Sequence, residues 1–129
     1  MTRVDVVDAS AVAAVVFNEE GGETVSPGLT GGGKVIAPRL LSYEMASITV
    51  SKTRRRPAEA ERFLRGFADF QGMEIELYEV DHSAVIELAL RNDLTGCDAS
   101  YLWLALDRKA GLVTLDRQLA RAASRAGLR

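Results

Sequence analysis

The chain has 129 residues, of which 47% are hydrophobic, and its 16 basic and 18 acidic side chains leave a net charge of −2. That length suits one domain with its own core, spanning residues 1–129. The small net charge argues against a coat protein that holds nucleic acid by bulk positive charge. No apolar run approaches the roughly 20 residues that span a membrane.

The chain starts Met-Thr-Arg and enters a strand-like segment without the progression of a signal peptide, so the cytoplasm is the expected compartment. Cys97 is the only cysteine and His82 the only histidine. An internal disulfide is therefore impossible, and a zinc site or a hydrolytic triad has little support. Cys97 reads as a small buried hydrophobe, and His82 as a surface or capping residue beside Asp81.

The first expected element is a short strand over Val4–Val7, interrupted by Asp5. Ala9–Phe17 reads as a helix too apolar to face solvent all round. Glu19–Leu29 is mixed and predicts a short helix, and 30–34 predict a flexible glycine loop. That loop lacks the spacing of a phosphate-binding P-loop. Val35–Ala37 is a second strand, and Pro38 suits the start of the next helix, whose missing amide is harmless there. This helix is expected over Arg39–Lys52. Pro57 opens another that runs to about Phe70, with Phe63, Leu64 and Phe67 as its apolar stripe. Ile75–Val80 reads as strand, Asp81–Arg91 as helix, Asp98–Lys109 as an apolar helix and Leu112–Leu115 as strand. Asp116 starts a last helix that Gly127 ends. Strands alternating with helices imply an α/β fold, a parallel sheet covered on both faces.

Two basic clusters break the even charge distribution. Lys52, Arg54, Arg55 and Arg56 form one. Arg117, Arg121, Arg125 and Arg129 form the other, with steps of four that line up along a helix. Each reads either as a solvated face with favourable helix-end charge or as phosphate contacts beside an acidic site.

Four carboxylates carry the functional reading. Asp8 follows the first strand, Asp116 the last, and Asp98 opens a helix within Thr95-Gly96-Cys97-Asp98. Taken singly, each could be a helix cap or part of a capping box. Glu44 differs: it shares a helix face with Leu40, Leu41 and Ile48, where an unpaired carboxylate is costly. In a parallel α/β sheet, residues past the carboxyl ends of strands converge on one crevice. Four acids there call for a neutralising cation, and a divalent metal brings phosphoryl-transfer chemistry with it.

Val6-Val7-Asp8-Ala9-Ser10-Ala11, Ala37-Pro38-Arg39-Leu40-Leu41-Ser42-Tyr43-Glu44, Cys97-Asp98-Ala99-Ser100-Tyr101 and Val113-Thr114-Leu115-Asp116 occur in an order and at separations that resemble the PIN-domain nucleases. The resemblance is greatest to the VapC-like toxins of prokaryotic toxin–antitoxin pairs, and it covers nearly the whole chain. It implies a three-layer α/β/α domain with a central parallel sheet of four to five strands. It also implies an acidic quartet of Asp8, Glu44, Asp98 and Asp116, supported by the hydroxyls of Ser10 and Thr114. The implied cofactor is Mg2+ or Mn2+. The implied reaction is hydrolysis of RNA phosphodiesters by metal-activated water, leaving 5′-phosphate and 3′-hydroxyl ends. Arg117 and Arg121 become candidate RNA phosphate contacts. A homodimer and a small VapB-like antitoxin are the implied partners, with the helix over 11–17 and the helix of Met45 as a docking surface. Family members often end in a closing edge strand, for which Gly127-Leu128-Arg129 leaves little chain.

A catalytically inactive PIN-like module that binds protein or RNA is the alternative, and the presence of all four acids argues against it. A receiver or haloacid-dehalogenase-like phosphatase would require adjacent or Asp-x-Asp acids, whereas Asp5 and Asp8 are three apart.

Overall fold

The computed structural model describes residues 2–128. Strands β1 (Val4–Val7), β2 (Lys34–Pro38), β3 (Ile75–Tyr78) and β4 (Gly111–Val113) form one four-stranded sheet in the order β3-β2-β1-β4. Every pairing is parallel. Helices α1 (Ala9–Val16) and α2 (Gly22–Thr30) connect β1 to β2. Helix α3 (Leu40–Arg55), a 3-10 turn (Pro57–Glu59) and α4 (Ala60–Gln71) connect β2 to β3. Helices α5 (His82–Asn92) and α6 (Gly96–Arg108) lead back to β4, and α7 (Arg117–Arg125) follows it.

The first two crossovers step outward from β1, and the third returns across the sheet to the far side of β1. Because parallel crossovers are right-handed, α1–α4 cover one face and α5–α6 the other. Packing agrees: α1 lies against α2, α3 and α4, whereas α6 lies against β1, β2, α5 and α7. The expected three-layer α/β/α domain is the observed one, with four strands among the described residues.

The core explains which residues made which elements. Val6 and Val7 are fully buried, as a central strand covered on both faces requires. Leu41, Met45, Tyr101, Leu102 and Leu119 close over them from the helices, each no more than 1% exposed. Burying one such side chain contributes about 1.5–3 kcal/mol. Asp5 is the polar exception inside β1. Its carboxylate meets Arg3 Nε at 2.7 Å, which removes the cost of an unpaired charge.

Several boundaries differ from the sequence expectation. Pro38 ends β2 instead of opening α3. The Lys34 amide donates to Arg3 and the Arg39 amide to Tyr78, so by alternation position 38 faces the β1 side. The β1–β2 register stops at Val6 and Ile36, so no ladder bond needs the amide that proline lacks. Helix α3 runs on to Arg55, and Lys52, Arg54 and Arg55 in its last turn suit the negative end of the helix dipole. Leu64 is 60% exposed; the inward stripe of α4 is instead Phe63, Gly66 and Phe70, with Phe67 beside it. The 11–17 segment and Met45 are largely interior, with Ala11, Val12, Phe17 and Met45 at 0–1% exposure. These side chains are core and drop out of the expected docking surface, although α3 still exposes Tyr43 and Val50. Among the described residues no helix is long and apolar enough to cross a membrane.

Candidate active site

Asp8 stands at the carboxyl end of β1, beside the carboxyl end of β4. The chain leaves these neighbouring strands in different directions, which is where open α/β sheets place ligands. Asp8 is 4% exposed, and both of its oxygens are held. Oδ1 accepts from the Ser10 hydroxyl at 2.7 Å and from the Ala11 amide at 3.0 Å. Oδ2 accepts from the Thr114 hydroxyl at 2.5 Å. Asp8 is therefore the N-cap of α1 and also a buried carboxylate fixed in orientation.

Ser10 and Thr114 tie the first and last strands together. The two hydroxyls lie 3.3 Å apart. Ser10 Oγ accepts from the Leu115 amide at 2.9 Å, and Thr114 Oγ1 accepts from the Asp116 amide at 2.9 Å. Asp116 thus begins α7 at a position set by the β1–β4 junction. Its Oδ1 caps the helix by accepting from the Leu119 amide at 2.9 Å.

Asp98 lies in the first turn of α6, and its amide donates to the Thr95 hydroxyl at 3.1 Å. The capping reading of Thr95 is correct, and so are those of Asp8 and Asp116. Those roles coexist with convergence of the acids on one region. Glu44 is half-buried in α3, and its Oε1 accepts from the Tyr101 hydroxyl at 2.5 Å. Tyr101 is 1% exposed and comes from α6 on the far side of the sheet. Sequence reasoning gave it no role. The available signal was a tyrosine three residues after Asp98, on the same helix face, whose hydroxyl needs a partner once buried.

The acids sense one another. Burial raises the Asp8 carboxyl above its usual range, hydrogen bonds from Thr114, Ser10 and Ala11 oppose this, and the charge of Asp116 adds to it. Glu44 is raised by burial, with contributions from Asp98 and Asp8, while the Tyr101 bond pulls it down. Asp98 is raised by burial and by the charges of Asp116 and Asp8. Burial and then the Glu44 bond hold the Tyr101 phenol far above its normal range, so it stays a donor. Cys97 is exposed, contrary to the sequence reading, because it sits in the open first turn of α6. Its thiol is pushed up by burial of part of the side chain and by Glu44 and Asp98.

This donor set suits a hard divalent cation, which takes oxygen ligands and relieves carboxylate repulsion. It is not a ready four-ligand cage. Among the described residues no three His, Cys, Asp or Glu side chains are grouped closely enough to hold a metal ion. Glu44 and Asp116 each already accept a hydrogen bond at one carboxylate oxygen, from the Tyr101 hydroxyl and from the Leu119 amide. Mg2+ binds through one or two carboxylates and keeps several waters, a mode this spacing fits.

Arg117 and Arg121 are exposed on α7, whose buried side is Leu119, Ala122 and Ala123. Neither arginine forms an ion pair among the described residues. Arg117 directly follows Asp116, which places its backbone at the rim of the acidic region.

Comparison with known proteins shows the family and the fold. The chain is 34% identical over 119 residues to Ribonuclease VapC3 of Pyrobaculum aerophilum, covering 89% of this chain and 91% of the relative. Its fold is similar to the crystal structure of PAE2754 from Pyrobaculum aerophilum, with a TM-score of 0.76 at 24% identity, over 95% of this chain and 86% of that one. Residues 6–125, from the middle of β1 to the last residue of α7, match the PIN domain, and the chain belongs to that family.

Proposed function

We propose that the protein is a divalent-metal-dependent endoribonuclease, the VapC-like toxin of a toxin–antitoxin pair. The observation that supports this reading is that Asp8, Glu44, Asp98 and Asp116 lie towards one end of the sheet, near enough for the charge of one to act on another. Three of them have raised carboxyl groups for which only burial and neighbouring acids account. The name of the related ribonuclease supports RNA as substrate.

Asp8, Asp98, Asp116 and Glu44 would hold Mg2+ or Mn2+, directly or through water. Bound there, the metal would supply an activated water and charge stabilisation for the leaving oxygen. Asp8 fixes the geometry, because Ser10, Ala11 and Thr114 leave its carboxylate little freedom. Tyr101 occupies Glu44 Oε1, so Glu44 meets water or a proton through Oε2. With its raised affinity for protons, Glu44 is suited to accept one from the attacking water. Arg117 and Arg121 would contact substrate phosphates from the rim.

A VapB-like antitoxin and a second copy of the chain complete the proposal, with the cytoplasm as its setting. Ile86 and Leu90 lie one turn apart on α5 and are 59% and 82% exposed, an apolar pair suited to dimer contact.

Cleavage of end-labelled structured RNA in Mn2+, Mg2+ or EDTA, beside Asp98→Asn, tests the reading. Metal-dependent cutting that the variant lacks supports it. Wild-type protein that binds RNA and metal but never cuts would favour the binding module.

A further inference from the structure

A second region of concentrated charge lies at the other ends of the same two helices. Asp8 precedes α1 and Glu44 lies early in α3. Beyond the end of α1 and in the last turn of α3, a cavity of about 330 Å3 is lined by Glu19, Lys52, Arg55, Arg56, Arg62 and Phe63. Four cations line the cleft against Glu19, and with Glu59 paired to Arg62 and Arg56 the region still carries a local charge of +2, in a chain whose total is −2. Glu19 is already engaged by Lys52.

The cleft is held in shape. The Lys52 ammonium lies 5.3 Å from the centre of the Phe17 ring, and the Arg62 guanidinium 4.7 Å from that of Phe63. Arg62 also donates to the Phe17 carbonyl at 2.9 Å and to Glu59 at 3.0 Å. Arg56 approaches Glu59 only to 3.5 Å, and Arg55 has no ion pair among the described residues. Two exposed guanidinium groups therefore border a pre-set basic floor.

Helix geometry links this cleft to the carboxylates. Glu44 and Arg55 are eleven residues apart, about three turns and roughly 16 Å along one side of α3. That is a few nucleotides of single strand at about 3.4 Å or more each. The only aromatic ring lining the cleft, Phe63, is 2% exposed, so the cleft offers no apolar anchor of the kind that dominates protein interfaces. Repeating phosphates suit it better than a peptide.

We propose that this cleft binds the sugar-phosphate backbone of the RNA strand flanking the cut, a few nucleotides from the scissile bond. It rests on the nuclease reading above for the identity of the strand. Arg55 and Arg56 bind and position; they take no part in bond breaking.

The test is fluorescence anisotropy of a labelled mixed-sequence single-stranded RNA with the full chain in EDTA, across a salt series. Arg55→Gln/Arg56→Gln should lower the slope of log affinity against log salt by about 1.4, and affinity by about tenfold at low salt, at about 0.7 per lost phosphate contact. Arg55→Lys/Arg56→Lys should keep the wild-type slope. Equal slopes for wild type and the Gln variant would overturn the proposal. So would a wild type that binds no RNA even at low salt. A cleft that takes a polyglutamate peptide in preference to RNA would also overturn it, in favour of an acidic protein partner. Cutting by wild-type protein in Mn2+ is scored separately. Cutting with unchanged slopes removes the cleft alone, and altered slopes without cutting remove the nuclease reading alone.

Discussion

The Tyr101 hydroxyl donates to Glu44 Oε1 at 2.5 Å, joining a helix from one face of the sheet to a helix from the other. It fixes one oxygen of the carboxylate and counteracts the burial that would protonate it. Tyr101→Phe keeps the ring and deletes the bond. A hydrogen bond to a charged group is worth about 1.5–3 kcal/mol, so Mn2+ affinity or the cleavage rate should fall about 10–100-fold. Calorimetric Mn2+ titration beside single-turnover cleavage reads both. If neither changes, Tyr101 is packing alone.

Thr114 donates to Asp8 and accepts from the Asp116 amide, so one hydroxyl sets two acids. Thr114→Val is close in shape but leaves both partners unsatisfied. It should cost about 1–3 kcal/mol of stability per stranded group and lower activity more than Ser10→Ala. Chemical denaturation and cleavage rates on the two variants check the order.

The raised acids make a signed pH prediction. Asp8, Glu44 and Asp98 hold protons more tightly folded than unfolded. Folded protein then binds more protons than unfolded, so their contribution favours folding at low pH and is lost as pH rises through the raised values. In EDTA, Asp98→Asn should melt above wild type at neutral pH, and the gap should close towards the ordinary carboxylate range near pH 4. Saturating Mn2+ should reverse the order at neutral pH. A gap that does not change with pH would mean that Asp98 is not strained by its neighbours.

Leu90 is 82% exposed, one turn from Ile86 on α5. Leu90→Asp should turn a dimer into a monomer without lowering the melting temperature of the protomer by more than a few degrees. Light scattering after size exclusion decides it; a wild type that is already monomeric rules out this face.

Much of the architecture could be read from local pattern. The alternation of apolar runs and turn residues placed all four strands and the major helices, and the acids were visible because Asp8 and Asp116 sit at strand-to-helix junctions and Asp98 opens a helix. What escaped depended on neighbours distant in sequence. Pro38 looks like a helix opener until the register shows that no donor is needed there. Leu64 fits an apolar stripe, yet the inward side of α4 is set by Gly66, where an added Cβ would stand 2.6 Å from the Phe17 ring. Tyr101 gained a role only when α3 and α6 met. The capping roles of Asp8 and Asp116 were legible as alternatives, and the structure shows them held together with positions at the same end of the sheet.

The two hydroxyls that close the site are separated by 104 positions in the chain. A ribosome adding roughly 5–20 residues per second therefore spends several seconds between making Ser10 and making its partner. Throughout that interval Asp8 has no Thr114 to grip it, and Asp116 does not yet exist. In a nascent chain the acidic region is therefore incomplete, and its hydroxyl clasp closes only after β4 has slotted in beside β1.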